Sequence, residues 1–417
     1  MLPPRNHPDR DAITSELHAR PMEIVEGAER IRRLVFVVSP DPVELEALHR
    51  RFRAFCTERG LDIGQQTPRQ VSFTAAGLRV TWEFHTEFVT LTWQAPSDDP
   101  VAWPDDIGID VMAGAELIAA TLLDVTDEEA VAQGWLDRLN LSSRCASTVD
   151  DGGGEIACDY VPDADGFTIL RLAAGRLTIL RRSVLVRRIL EMETYRCMAL
   201  LGLPAVRRAS ADLGAAEREL ERLIESLADA TSTEAITAAL DTLYRLSIES
   251  SRLSERLDYR LSGSKAYGEI LHARLDALRE GPTSLGSSIG RFVANRVDPA
   301  LRTCAAFEKR LVSLTEKIER VIGLLDVRIG LDMQTQQSLV LDTIAATAQS
   351  QYRLQATVEG LSVIAISYYL LGILGYLLAG PLETMHVDKP LALSLAVPFV
   401  VLVVWLAIRR VRRKHFG

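Results

Sequence analysis

The chain has few cysteines, and none of them is spaced for a shared task. Cys56, Cys145, Cys158, Cys197 and Cys304 are scattered, and no Cys-x-x-Cys or Cys/His ligand pattern occurs. This excludes a disulfide framework and a Cys/His metal centre, and scattered thiols suit a reducing compartment. An excess of positive charge is also missing: 47 Lys and Arg against 56 Asp and Glu leave a net charge of −9, which disfavours nucleic acid as a partner. Met1 to Ile24 is polar and has no apolar core, so no signal peptide is expected. Asp150-Asp151-Gly152-Gly153-Gly154 has no Gly-Lys-Ser/Thr after it, which rules out a phosphate-binding loop and leaves a surface turn.

What the sequence does contain is concentrated at its end. Leu361 to Ala379 and Leu391 to Ile408 carry no charge, and Arg409, Arg410, Arg412, Arg413 and Lys414 follow at once. At 1.5 Å per helical residue, each stretch spans roughly 27–29 Å, close to a hydrocarbon core of about 30 Å. The loop between them, Gly380 to Pro390, has only Lys389 against Glu383 and Asp388. Positive flanks stay on the cytoplasmic side, so both termini are expected in the cytoplasm and the short loop outside. Neither span holds an ionisable residue, which removes the usual marker of a proton-coupled transporter. Residues 359–417 carry six Lys and Arg against three acids, so the remainder sits near −12 and concentrates cations.

The expected fold is an α+β membrane protein, divided as follows. A polar leader (1–30) precedes an α/β domain with an antiparallel sheet (31–165) and a helical domain (166–290). A stalk helix (291–358), a transmembrane hairpin (359–408) and a basic tail (409–417) complete it. Leu34 to Ser39 reads as a strand, and Pro42 to Arg59 as an amphipathic helix with Pro at its start. Leu78, Val80, Trp82 and Phe84 alternate with Arg79, Thr81, Glu83 and His85, the period of a half-buried strand, and Val89, Leu91 and Trp93 repeat it after a turn at His85 and Thr86. From Leu180 onward helix dominates, with breaks expected at Gly202 to Pro204, Thr231 to Thr233, Ser262 to Ser264 and Gly281 to Ser288.

Cys304, Phe307, Leu311, Leu314, Ile318, Val321 and Leu325 repeat at spacings of three and four, a heptad seam. No proline separates Pro299 from Pro381, so one helix is expected to run from about Pro299 to Ala379 as the main oligomer contact. Near the membrane its stripe turns polar. Asp332, Asp342 and Gln336 are candidates for a wet vestibule, against an ordinary solvated helix face. In the first span Gly372 and Gly375 mark a helix crossing, while Tyr369 and Tyr376 either line an aqueous path or pack.

Glu16-Leu17-His18-Ala19-Arg20-Pro21, Thr357-Val358-Glu359-Gly360-Leu361-Ser362, and Glu193-Thr194-Tyr195-Arg196 before Ala199 to Pro204 resemble motifs of an uncharacterised family of proteobacterial membrane-anchored proteins. The resemblance covers nearly the whole chain, makes Glu16, His18, Arg20 and Pro21 the family motif, implies a bacterial inner-membrane location and implies no established activity. The order of parts is similar to that of CorA-type divalent-cation channels. That similarity implies a homo-oligomer, a pentamer in that family, and divalent cations as ligands. The Gly-Met-Asn after the first span of those channels is replaced here by Ala379-Gly380-Pro381, so no pore residue carries over.

Three functions compete: a scaffold or sensor, a cation channel lacking the usual selectivity motif, and a membrane-tethered enzyme. The enzyme reading would draw an acid, a base and an anion clamp from His7, Arg10, Glu16, His18 and Arg20, or a metal site from Glu83, His85 and Glu87. The plainer expectation is that the leader docks on the α/β domain through salt bridges and that the turn is simply exposed. The protein is therefore read as a non-enzyme without a cofactor, whose partners are membrane lipid and its own copies.

Overall fold

The structure, a computed structural model, describes residues 7–16, 19–39, 41–61, 63–66, 69–99, 101–105, 107–228, 232–378 and 388–415. The chain divides into two units, Met1–Val321 and Ile322–Gly417.

In the first unit a short helix α1 (Arg10–Glu16) precedes β1 (Glu29–Val37), α2 (Pro42–Glu58), β2 (Ile63–Gln66), β3 (Gln70–Ala75), β4 (Leu78–Phe84), β5 (Phe88–Pro96) and β6 (Glu116–Thr126). Then come α3 (Gln133–Leu136), β7 (Cys145–Val149), β8 (Gly154–Pro162) and β9 (Thr168–Ala173). With a two-residue strand β10 (Gly281–Pro282) they form one sheet in the order β10-β7-β8-β9-β6-β1-β5-β4-β3-β2. The antiparallel expectation is corrected at one joint, because β6 and β9 pair in parallel. The long connection between them, containing α3, β7 and β8, supplies the crossover a parallel pair requires.

One face of the sheet is apolar. Phe36, Trp82 and Phe84 are buried with Leu48, Phe52 and Cys56 of α2, a helix capped by the Asp41 carboxylate, which accepts from the Val43 N–H at 2.9 Å. The other face changes character along the sheet. Ile31, Leu123, Leu170 and Leu172 pack on Leu185, Val186 and Ile189 of helix α4 (Ile179–Leu200). Towards β3, β4 and β5 that face becomes polar while remaining buried.

Helices α5 (Gly202–Ala228) and α6 (Thr233–Ala277) follow, then α7, one helix from Ile289 to Leu377. The buried residues of α6, Leu243, Leu246, Ser250, Leu253 and Leu257, recur every three or four positions, as α7's do. The stripe expected to hold an oligomer together is consumed within the chain: Cys304, Phe307, Leu311, Leu314 and Ile318 are all buried. Two expected boundaries shift. Ser262 to Ser264 lie inside an unbroken α6, where Ser264 Oγ accepts from the Gly202 N–H at 2.9 Å and locks α6 to the start of α5. Helix α7 begins ten residues before Pro299, because Ser147 Oγ accepts from the Ile289 N–H at 2.9 Å and the Glu280 carboxylate accepts from Gly290 at 3.0 Å. These caps come from elsewhere in the fold, so a local reading misses them.

In the second unit α7 continues to Leu377, and α8 (Lys389–His415) follows. Both contain stretches long and apolar enough to cross a membrane, only 11% of each being buried. A core helix of a water-soluble protein would be mostly covered. The Ala379-Gly380-Pro381 segment and Met385 lie outside the described residues.

Candidate functional site

The buried polar face is where the N-terminal motif lands. On β1, β3, β4 and β5, the polar residues pointing away from α2 include Arg33, Gln70, Ser72, Thr81, Glu83, Thr90, Thr92 and Gln94, nearly all buried. Burying such groups costs free energy unless each finds a partner. The partners come from residues 19–26, laid between the sheet and α4. Glu23 Oε1 accepts from Thr81 Oγ1 at 2.8 Å, Ser72 Oγ at 2.9 Å and Gln70 Nε2 at 3.3 Å. Arg33 donates to Thr92 Oγ1 at 2.8 Å and pairs with Glu83 at 3.2 Å, whose carboxylate also accepts from Thr90 at 3.0 Å.

The leader is tied along its length. Glu16 pairs with Arg69 at 3.1 Å, the Arg20 carbonyl accepts from Arg187 at 3.1 Å, and the Pro21 carbonyl accepts from Gln70 at 3.2 Å. Val25 N–H donates to Ser183 Oγ at 2.9 Å, and Arg182 donates to the Glu26 carbonyl at 2.8 Å. Three members of the motif, Glu16, Arg20 and Pro21, therefore fasten the leader to the domain. His18 lies outside the described residues. His7 is exposed and close to Asp9, so it does not join Glu16 or Arg20 in an acid–base set. The cavity left under the leader, between Glu23, Arg33, Glu83, Arg187 and Glu191, measures about 30 Å³. That holds water but no substrate.

The β4–β5 turn separates its three candidate ligands. Glu83 points to the polar face, His85 stacks on Phe88 with ring centroids 4.0 Å apart, and Glu87 turns to Arg260 of α6 at 2.9 Å. Among the described residues no group of three His, Cys, Asp or Glu could hold a metal ion. Burial first, and then the Arg20 and Arg33 cations, push the His85 imidazole down to about 3, so it stays neutral in the fold.

The Glu193-Thr194-Tyr195-Arg196 motif is also structural. Glu193 is fully buried and clasps Arg196, which lies over the Tyr160 ring at 5.3 Å, and Tyr160 stacks on Phe292 at 5.2 Å. Tyr195 stacks on Tyr267 of α6 and meets Phe88 edge-on. Burial raises the Cys158 thiol well above its ordinary value and lifts Cys197 to about 12. Both remain protonated and poor nucleophiles.

A larger cavity, about 400 Å³, opens between α5, α6 and α7 over Leu213, Leu253 and Leu314, with Asp212, Arg252 and Arg256 at its rim. Sequence reasoning missed it, as it missed Glu23 and Arg33; three arginines inside the strand Glu29–Val37, Arg30, Arg32 and Arg33, were the available signal for a buried polar face.

In the second unit Asp332, Gln336 and Asp342 are exposed on α7. Tyr369 and Tyr376 are exposed as well. A Cβ on Gly375 would sit 3.5 Å from Leu393 of α8, whereas nothing lies within 4 Å of Gly372.

Fold and site together define an α+β domain, closed around its own N-terminal segment, whose longest helix ends in a span-length apolar stretch. The chain belongs to the family described as "Protein of unknown function (DUF3422)", whose model it matches over residues 5–415. No curated protein matches it.

Proposed function

We propose that this protein is a non-enzymatic scaffold or sensor anchored in the bacterial inner membrane, with both termini in the cytoplasm, working as a homo-oligomer. The observation that carries this reading is α7. It starts inside the buried core of the α+β domain at Ile289 and ends in an uncharged, exposed stretch of span length. The basic cluster Arg409 to Lys414 favours a cytoplasmic tail. Protonated thiols, a neutral His85 and a water-sized cavity under the leader favour a binding or structural role over catalysis. The 400 Å³ cavity between α5, α6 and α7 lies within the size range of small-molecule sites, which favours a sensor over a bare tether.

The second reading is a cation path, favoured by the exposed polar stretch Gln334 to Gln355 leading into the first span. Reporter fusions test the anchor: one after Gly417 should read as cytoplasmic and one at Thr384 as external. A C-terminus found outside overturns the topology. Cation flux through a bilayer containing purified protein would favour the second reading.

A further inference from the structure

Downstream of its buried stripe, α7 carries a second one. Met333, Gln337, Val340, Ile344, Thr347, Gln351, Leu354, Val358, Leu361 and Ala365 alternate at spacings of four and three without interruption. It is not the first seam continued, since the step from Leu325 to Met333 is eight residues, not seven. Its apolar members are uncovered: Met333 is 57% exposed, Val340 57%, Ile344 59% and Leu354 67%. Contiguous exposed apolar side chains on a helix call for a partner.

The charges say which partner. With Val340 and Leu354 at d, the flanking e and g positions from Gln334 to Ile364 are Gln, Leu, Ala, Ser, Thr and Ile, and none is charged. Every charge in residues 332–359 (Asp332, Asp342, Arg353 and Glu359) falls at b, c or f. A different chain would be selected by complementary charges at e and g, whereas a charge-free flank lets a helix meet its own copy without repulsion. The line also runs into the first span, where Leu361, Tyr368 and Gly372 stay uncovered and α8 meets it at Gly375, whose added Cβ would lie 3.5 Å from Leu393.

We infer that the α7 face from Met333 to Ala365 is a parallel self-association surface, occupied by the same face of a second copy of this chain. This rests on the membrane anchor proposed above, because two copies inserted in one orientation meet at equal height, each residue opposite itself. Gln337 and Gln351 then pair across the seam and fix its register, as polar a-position residues do. Asp342, two residues and about 200° around the helix from Val340, points outward. It cannot form the acidic ring of a central path.

Cysteine substitution in the full-length chain, in native membranes, tests this against the wild type and its five cysteines. Under mild oxidation Val340→Cys and Leu354→Cys should yield covalent dimer at least five-fold above Asp342→Cys. Equal crosslinking at Asp342, or none at Val340 and Leu354 in protein shown to be in the membrane, overturns the inference. Protein missing from the membrane fraction would instead mark failure of the anchor. In detergent, Ile344→Asp should lower the particle mass to that of one chain without moving the melting temperature of the α+β domain. An unchanged mass overturns the inference as well.

Discussion

The two parts of α7 have nearly the same hydrophobic rhythm and opposite fates. Before Val321, the stripe from Cys304 to Ile318 is buried. Beyond it, the stripe from Met333 to Val358 has the same spacing and is open. A heptad therefore predicts that a helix wants a partner, but not where the partner is. Polar composition supplies the missing distinction. The first part sends Arg310 to Glu217 of α5 and Asp298 to His272 of α6, contacts that set its place among the chain's own helices. The second keeps its charges away from its seam.

The largest expected effect breaks this comparison directly. Ile318→Asp puts an unpaired charge into a fully buried site and should cost about 3–5 kcal/mol of unfolding free energy. Ile344→Asp adds the same charge to an exposed site and should change stability by less than about 0.5 kcal/mol. Chemical denaturation of both variants followed by far-UV circular dichroism decides it. Similar losses would mean that the downstream stripe is covered within a single chain.

Legibility in the sequence followed the range of the interactions. Helix α2 and strands β4 and β5 were readable because proline, caps and alternation act over a few residues, and the apolar stretches were readable from composition alone. The alternation on β4 showed that Thr81 and Glu83 share a face. It could not show that Glu23, 58 residues away, covers that face and makes it interior. The helix start at Ile289 depends on Ser147, 142 residues earlier. For the candidate site, the N-terminal motif was recognisable as a docking segment. The polar floor on which it docks was not, because polar side chains on a strand normally signal solvent.

A pH series sharpens the contrast between the units, since His85 belongs wholly to the first. Its folded value is about 3 against an ordinary 6.5. Below pH 6.5 the unfolded chain takes up a proton that the folded chain refuses, so stability falls as pH drops from about 6.5 towards 3. His85→Asn removes that uptake. The stability gap between wild type and variant should therefore move in the variant's favour by about 2 kcal/mol between pH 7.5 and 4.5, a value discounted from the full shift because the ring is partly exposed. A gap that stays constant with pH would show that His85 takes up its proton in the fold as readily as in the unfolded chain.

The smallest expected effect has opposite signs in the two parts of the molecule. A Cβ added at Gly202 would lie 2.6 Å from Ser264 Oγ and 3.3 Å from Cys304 Sγ, at the junction of α5, α6 and α7. Gly202→Ala should therefore destabilise the first unit by about 1–2 kcal/mol, overpacking outweighing the better helix propensity of alanine. At Gly360 nothing lies within 4 Å of the added carbon, and the position falls on the face away from the downstream seam. There only propensity acts, and Gly360→Ala should gain about 0.5–1 kcal/mol of local helix stability. Hydrogen exchange of amides 350–360 would register this as slower exchange, with self-association unchanged. Faster exchange or lost association in Gly360→Ala would mean that the outward face of α7 is also in contact, and the division between a covered and an open part of the helix would fail at that point.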